Sequence, residues 1–235
     1  MKQVYAIILA GGRGARLGAD TPKQFLDLNG IPVIAWSLQA FSAIKEINGI
    51  VVVTPDDCHT QMNAILSEYG SGASRLVVTG GETRQQSSYN ALRCMAFDDE
   101  DILLFHDAAR PFITRETILR CIAETELHGA AAVYVHAVDT VTEGDNGFVT
   151  AIPPREKLYY AQTPQCFRYR IIRDAHETAL SRGITASTDD VALVKNAGYA
   201  IKIVEGDGIN MKITTSFDYE LAGYIAERHF INRSR

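Results

Sequence analysis

Six short apolar runs punctuate the chain: VYAIIL at residues 4–9, GIVVVT at 49–54, RLVVTG at 75–80, DILLFH at 101–106, AAVYVHAV at 131–138 and YAIKIVEG at 199–206. Most are nearly continuous in Val, Ile and Leu, the pattern of strands covered on both faces, not the alternation of a sheet with one wet face. Segments with helical signals separate them. In TPDDCHTQMNAILSEYG, Thr54 is placed to cap, Pro55 to fill the first turn, Asp56 and Asp57 to face the dipole, and Gly70 to stop the helix. The stretches 114–129 and 170–183 have similarly readable ends, closing on Gly129 and Gly183. Strands alternating with helices predict an α/β fold in one domain, with a mostly parallel twisted sheet and helices on both faces.

One segment breaks the alternation. From Asp139 to Tyr160 the chain reads DTVTEGDNGFVTAIPPREKLYY, with the turn signal GDNG between β-prone pieces. That pattern predicts a projecting hairpin arm. A lone hairpin cannot bury both of its faces, so the arm at about 139–160 is expected to pack on a second copy in a two-fold dimer. The alternative is an arm folded back on its own domain.

Composition narrows the class. At 235 residues with 46% hydrophobic content the chain can build a sizeable core, and its net charge of −5 lacks the basic excess of a nucleic-acid binder. Cys58, Cys94, Cys121 and Cys166 are far apart, which fits neither a zinc site nor a disulfide framework and points to a reducing compartment. The start MKQVYAIILA is too short in its apolar part for a signal peptide, and no run is long enough to span a membrane, so a cytoplasmic protein is expected.

The candidate chemistry lies after the strands. In LAGGRGARLGADTPKQF, Gly11, Gly12 and Gly14 let backbone N–H groups approach a phosphate, and Arg13, Arg16 and Lys23 supply cations. A loop in this place sits at the carboxyl edge of the sheet, where open α/β folds bind ligands. The dinucleotide fingerprint would need glycine where Leu17 stands, and no GxxxxGK[ST] occurs. In LLFHDAARPF, Asp107 follows a strand at the same edge, where one carboxylate can share Mg²⁺ with substrate phosphates, and Arg110 lies within reach. The plainer alternative has Asp107 capping a turn and Arg110 pairing with it. His106 reads as structural. GGETRQQSSYNAL places Gly80, Gly81 and Ser87 at a strand-to-helix junction, where amides and a hydroxyl could read the edge of a pyrimidine. REKLYYAQTPQCF puts Arg155 and Thr163 around a proline-fixed turn, and STDDVALV and GINMKIT offer Thr188, Asp189 and Lys212.

Taken in order, LAGGRGARLGADTPKQF, GGETRQQSSYNAL, FHDAARPF, QTPQCF, STDD and NMKITT resemble the family of cytidylyltransferases that act on 2-C-methyl-D-erythritol 4-phosphate in non-mevalonate isoprenoid synthesis. The resemblance spans essentially the whole chain. It implies a Rossmann-like nucleotidyltransferase fold, CTP and a polyol phosphate as substrates, Mg²⁺ as cofactor, and a homodimer whose arm completes the neighbour's site. By the same resemblance Arg16, Lys23 and Lys212 meet the phosphates, Asp107 holds the metal, and Ala10, Gly11, Gly12, Gly14, Gly81, Ser87 and Ala108 bind CTP. Arg110, Thr140, Arg155, Thr163 and Thr188 are the matching candidates for the acceptor, with Thr140 and Arg155 reaching across the dimer.

Within the family, Thr142 stands where many erythritol enzymes have lysine, and AIPPREKLYYAQTPQ also resembles ribitol-5-phosphate cytidylyltransferases of wall-polymer synthesis. STDDVALV is closer to the erythritol branch. The expected acceptor is therefore 2-C-methyl-D-erythritol 4-phosphate, with ribitol 5-phosphate as the alternative. A sugar-nucleotide-binding homologue without catalysis, a nicotinamide-dependent oxidoreductase and a sibling nucleotidyltransferase using another base are further alternatives.

Overall fold

In the computed structural model, residues 2–12, 21–70 and 74–233 are described. The chain runs through β1 (Val4–Leu9), a ribbon of β2 (Asp27–Leu28) and β3 (Ile31–Pro32), α1 (Val33–Ser42), β4 (Gly49–Thr54), α2 (His59–Tyr69), β5 (Ser74–Thr79), α3 (Arg84–Leu92) and β6 (Ile102–Asp107). It continues through α4 (Arg115–His128), β7 (Ala130–His136), the hairpin β8 (Glu143–Asp145) and β9 (Phe148–Ala151), β10 (Tyr159–Arg168), α5 (Tyr169–Ser181), α6 (Asp190–Asn196), β11 (Lys202–Glu205) and α7 (Ser216–Arg233). The main sheet has seven strands in the order β11-β7-β10-β6-β1-β4-β5. Strands β6, β1, β4 and β5 pair in parallel, as do β7 and β11, while β10 is antiparallel to both of its neighbours.

The continuous apolar runs have the reason expected of them. Along β1, Val4, Ala6 and Ile8 join one buried cluster with Ile34, Leu38 and Met62 from α1 and α2, whereas Tyr5 and Ile7 join another with Leu92 and Ile172 from α3 and α5. Strand β6 divides its residues likewise, Ile102 and Leu104 to one face, Leu103 and Phe105 to the other. Period-two geometry with both faces covered makes nearly every position inside these strands apolar, with His106 near the end of β6 as an exception. A smaller cluster of Leu28, Val33, Trp36, Phe112, Ile213 and Ala222 ties α7 to the β2–β3 ribbon.

Two expectations need correction. The segment around Pro164 is not a turn: it belongs to β10, which runs between β6 and β7. The register of β10 on β7 slips between Ala161 and Gln165, and such an irregularity admits proline inside a sheet because no ladder bond is demanded of its missing N–H. Thr54 does not cap a helix either; it ends β4, fully buried, and α2 starts only at His59, after a 3₁₀ turn over Asp56–Cys58. The sheet is mostly parallel as expected, with β10 as the antiparallel strand near its centre. By contrast Thr114 caps α4 by accepting from the Thr117 N–H, and Gly129 ends it in the left-handed region at φ 82°.

Phe167 of β10 and Phe105 of β6 lie together with ring centroids 6.2 Å apart, both without exposure. Phe167→Ala is expected to lower unfolding stability by about 3–5 kcal/mol, the usual cost of deleting a buried aromatic ring. Urea denaturation would measure it. A loss under about 1 kcal/mol would mean that α5 collapses into the space.

Candidate active site

The carboxyl ends of β1, β5 and β6 open on a cleft of about 300 Å³. Its floor is backbone. The Ala10 N–H donates to the Val53 carbonyl at 2.7 Å, and the Ala108 N–H to the Leu9 carbonyl at 3.0 Å, so both small residues extend the strand ladder to the edge of the cleft. Gly11 and Gly12 line it beside them. Opposite, the Gly81 N–H donates to Ser87 Oγ at 3.0 Å, which fixes the junction ahead of α3. Thr83 caps that helix by accepting from the Gln86 N–H at 3.1 Å. The N-terminal turn of α3 thus borders the cleft, a favourable place for anionic groups.

The cations arrive from distant parts of the chain. Lys23 Nζ donates to the Ile213 carbonyl at 3.1 Å, and its neighbour Gln24 donates to the Ala10 carbonyl at 2.9 Å. The Ile213 N–H in turn donates to the Ala109 carbonyl at 2.9 Å, which seats the segment carrying Lys212 against the end of β6. Lys212 Nζ is 2.7 Å from Asp107 Oδ2. Arg84 Nε is 3.9 Å from Asp107 Oδ1, and Arg110 Nε is 3.9 Å from Oδ2. Burial alone would push the Asp107 carboxyl up, but Lys212, Arg84 and Arg110 outweigh it and bring it down to about 2. Asp107 is therefore a carboxylate throughout the physiological range.

His106 and Thr163 hold this carboxylate from behind. Thr163 Oγ1 accepts from the Asp107 N–H at 3.1 Å and stands 3.0 Å from His106 Nδ1, while His106 Nε2 faces the Arg110 carbonyl at 3.0 Å. A ring nitrogen facing a carbonyl must carry the proton, so the neutral tautomer is Nε2–H and Nδ1 accepts from the threonine hydroxyl. Burial pushes the His106 pKa down to about 4. The residue is a structural strut, as the sequence indicated.

Ala10, Gly11, Gly12, Lys23, Gly81, Ser87, Asp107, Ala108 and Lys212 all line the cleft. Thr163 is buried, with its hydroxyl committed to His106 and Asp107. Arg110 stands behind Asp107, its terminal nitrogens donating to the Asn210 carbonyl at 2.8 Å and the Ala161 carbonyl at 3.2 Å, so it staples the loop before Lys212 to β10. Thr140 and Arg155 are exposed at the base of the arm, where Arg155 donates to the Val138 carbonyl at 3.1 Å. Thr188 is exposed just ahead of α6. Gly14, Arg13 and Arg16 lie outside the described residues. Sequence reasoning passed over Arg84, Gln24 and Glu82, although all three also line the cleft. The signal was at hand for Arg84, since GGETRQQSSYNAL puts it in the first turn of the helix that follows the glycines.

Known proteins fit this geometry. Residues 4–228 match the family described as IspD: 2-C-methyl-D-erythritol 4-phosphate cytidylyltransferase. The 2-C-methyl-D-erythritol 4-phosphate cytidylyltransferase of Geobacter metallireducens is 42% identical over 232 residues, covering 96% of this chain and 98% of its own. The bifunctional enzyme IspD/IspF of Rhodopseudomonas palustris is 44% identical over 217 residues, 91% of this chain and 53% of its own. Among solved structures, 4-diphosphocytidyl-2C-methyl-D-erythritol synthase from Anaerococcus prevotii superposes with a TM-score of 0.84 at 30% identity, covering 96% of this chain and 99% of that one. The Francisella tularensis 2-C-methyl-D-erythritol 4-phosphate cytidylyltransferase gives 0.81 at 30% identity, covering 95% and 99%. This chain belongs to the 2-C-methyl-D-erythritol 4-phosphate cytidylyltransferase family.

Proposed function

We propose that the protein transfers the CMP part of CTP to the phosphate of 2-C-methyl-D-erythritol 4-phosphate, releasing pyrophosphate and forming 4-diphosphocytidyl-2-C-methyl-D-erythritol for isoprenoid synthesis. The observation that carries this reading is the meeting of Lys23, Lys212 and Asp107 with the glycine-lined floor in one cleft. Such a wall suits a nucleoside triphosphate: small residues admit the nucleotide, and the cations face its phosphates.

A phosphate oxygen of the acceptor attacks the α-phosphorus of CTP, and the bond from that phosphorus to the bridging oxygen breaks as pyrophosphate leaves. The acceptor monoester has a second pKa of about 6, so at neutral pH it is already an anion and needs no base. The task of the protein is to bring two anions together in line and to meet the charge that builds on the α-phosphoryl group and the leaving pyrophosphate. Lys212 and Lys23 do this from neighbouring positions on the cleft wall, since Lys23 Nζ sits on the carbonyl of Ile213, next in the chain to Lys212, and Arg16 joins them by the family resemblance. Asp107 suits Mg²⁺, a hard ionised oxygen donor at the cleft wall for a cation that takes few protein ligands and completes its shell from phosphate and water. Bound there, the cation would neutralise phosphate charge. Ser87 and Gly81 are assigned to the cytosine and ribose.

We further assign the arm to dimerisation, with Thr140 and Arg155 delivered to the acceptor in the partner's site. No helix among the described residues is long and apolar enough to cross a membrane.

Pyrophosphate release with CTP and either 2-C-methyl-D-erythritol 4-phosphate or ribitol 5-phosphate tests the reading. Turnover with the former and little with the latter is expected, and the reverse preference would overturn the assignment of acceptor. The pH profile is a second check. Asp107, at about 2, and His106, at about 4, do not titrate between pH 5 and 8. The fall in kcat/KM on acidification should therefore track protonation of the acceptor, near its second pKa of about 6. A phosphonate analogue of the acceptor, with a higher second pKa, should move that limb upward, and an unmoved limb would place the titration on the protein or on the terminal phosphate of CTP and not on the acceptor. Stability also declines on acidification, because the unfolded chain gains the proton that buried His106 refuses from its ordinary value of 6.5 down to about 4, but that effect is indifferent to the acceptor.

A further inference from the structure

The segments GGETRQQSSYNAL and STDDVALV meet inside the protein in a charge network that the chemistry above does not use. Arg84, at the start of α3, donates through Nη1 to Asp190 Oδ2 at 2.7 Å and through Nη2 to Gln165 Oε1 at 3.4 Å. Its third nitrogen, Nε, faces Asp107 from 3.9 Å, and the residue lines the cleft. Asp190 has no exposure at all. Besides Arg84 it accepts from Ser88 Oγ at 3.1 Å, and its other oxygen is 3.1 Å from His176 Nε2. Its own N–H donates to Gln165 Oε1 at 3.1 Å, so the acceptor of the second guanidinium nitrogen is itself held by the Asp190 backbone. Since His176 Nε2 faces a carboxylate, it carries the ring proton, and Nδ1 is left buried without a partner among the described residues.

For stability alone this arrangement is a poor choice. Burying an ion pair costs several kcal/mol of desolvation per charge, and an apolar pair of the same volume is often as stable or more so. What the network does supply is orientation. A guanidinium gripped on both terminal nitrogens is held against swinging, and so its Nε edge is fixed beside Asp107 at the wall of the cleft.

We infer that Asp190 is a positioning residue: from outside the cleft it clamps Arg84, and through Arg84 it keeps a pinned cation beside Asp107 where the triphosphate binds. The inference rests on the proposed transfer from CTP. Arg84 is the group at the cleft, and Asp190 acts only through it. Ser88 and His176 hold the clamp itself.

The test is a double-mutant cycle on the full chain, read as pyrophosphate release with CTP and 2-C-methyl-D-erythritol 4-phosphate, with circular dichroism and thermal midpoints for every variant. Arg84→Ala and Asp190→Asn should each lower kcat by about tenfold to a hundredfold, the scale of a small misplacement in a phosphoryl-transfer site, with KM for CTP changed by less than about threefold. The double variant should be no slower than Arg84→Ala alone, since a residue that acts through another has nothing left to act on. Millimolar guanidinium should restore part of the rate of Arg84→Ala and none of that of the double variant, while methylammonium restores neither. A purely structural Asp190 would move the thermal midpoints but could not make rescue depend on it. Additive losses, or rescue indifferent to Asp190, would overturn the inference. Where Asp190→Asn fails to fold, Arg84→Ala decides: rescue by guanidinium but not methylammonium upholds the fork-shaped site, and equal or absent rescue removes it. A wild-type chain that releases no pyrophosphate would instead overturn the functional reading itself.

Discussion

Replacing Lys212 by alanine is expected to lower turnover by about a hundredfold or more, with the fold intact. The size of the effect is what separates its possible roles. Lys212 is partly exposed, with 39% of its side chain accessible, and its ion pair with Asp107 would contribute at most about 1 kcal/mol to stability if that were all it did. Asp107 also keeps Arg84 and Arg110 nearby, so its carboxylate stays compensated in the variant. Removing a fixed cation that meets charge only as it develops on the α-phosphoryl group would instead raise the barrier by roughly 3 kcal/mol, which is the hundredfold loss. Steady-state pyrophosphate release together with a thermal midpoint measures both quantities on one sample. Turnover within about threefold of wild type would leave Lys212 with the ion pair alone.

The same comparison of effects explains which parts of the site could be read before any coordinates. The phosphate-facing loop announces itself because bare glycines next to an apolar run and a clustered set of cations have no cheaper explanation as core. Asp107 is legible for a related reason, as a charge at the end of the continuous apolar run of β6. Arg84 and Asp190 are not, because their meaning lies in a contact between residues 106 positions apart, and each alone passes for a helix-start charge. Thr163 sits in the expected neighbourhood but in a strand and not a turn: its hydroxyl donates to His106 Nδ1 and accepts from the Asp107 N–H. The fold shows the same division. Helices closed by local caps, such as α4, were legible from Thr114 and Gly129, whereas β10 was hidden because Pro164 broke its period at the place where its register slips. A pairing irregularity depends on the partner strand, and no local pattern records it.

The arm carries the other large effect. Its hairpin turns through Asn146 at φ 49° and Gly147 at φ 83°, the paired left-handed conformations of a tight β-hairpin, and sends β8 and β9 into solvent. Phe148 is 77% exposed, and Val149 and Ile152 each 64%. Three large apolar side chains on a two-stranded ribbon need a covering surface, because such a ribbon is barely stable alone. With a second copy as that surface, Phe148→Asp combined with Ile152→Asp should yield a monomer in sedimentation. CTP affinity should stay within about threefold, since that cleft is built within one chain, while kcat/KM for the acceptor falls by about a hundredfold as Arg155 of the neighbour is withdrawn. Mixing two inactive variants isolates the crossing itself. In a heterodimer of Arg155→Ala with Lys212→Ala, one of the two sites receives an intact Lys212 from its own chain and an intact Arg155 from the other. Random exchange should therefore recover about a quarter of wild-type sites from parents that are each nearly inactive. A mixture that stays at the level of its parents, with exchange confirmed by native mass spectrometry, would confine Arg155 to its own chain, where it would only tie the foot of the arm to the Val138 carbonyl.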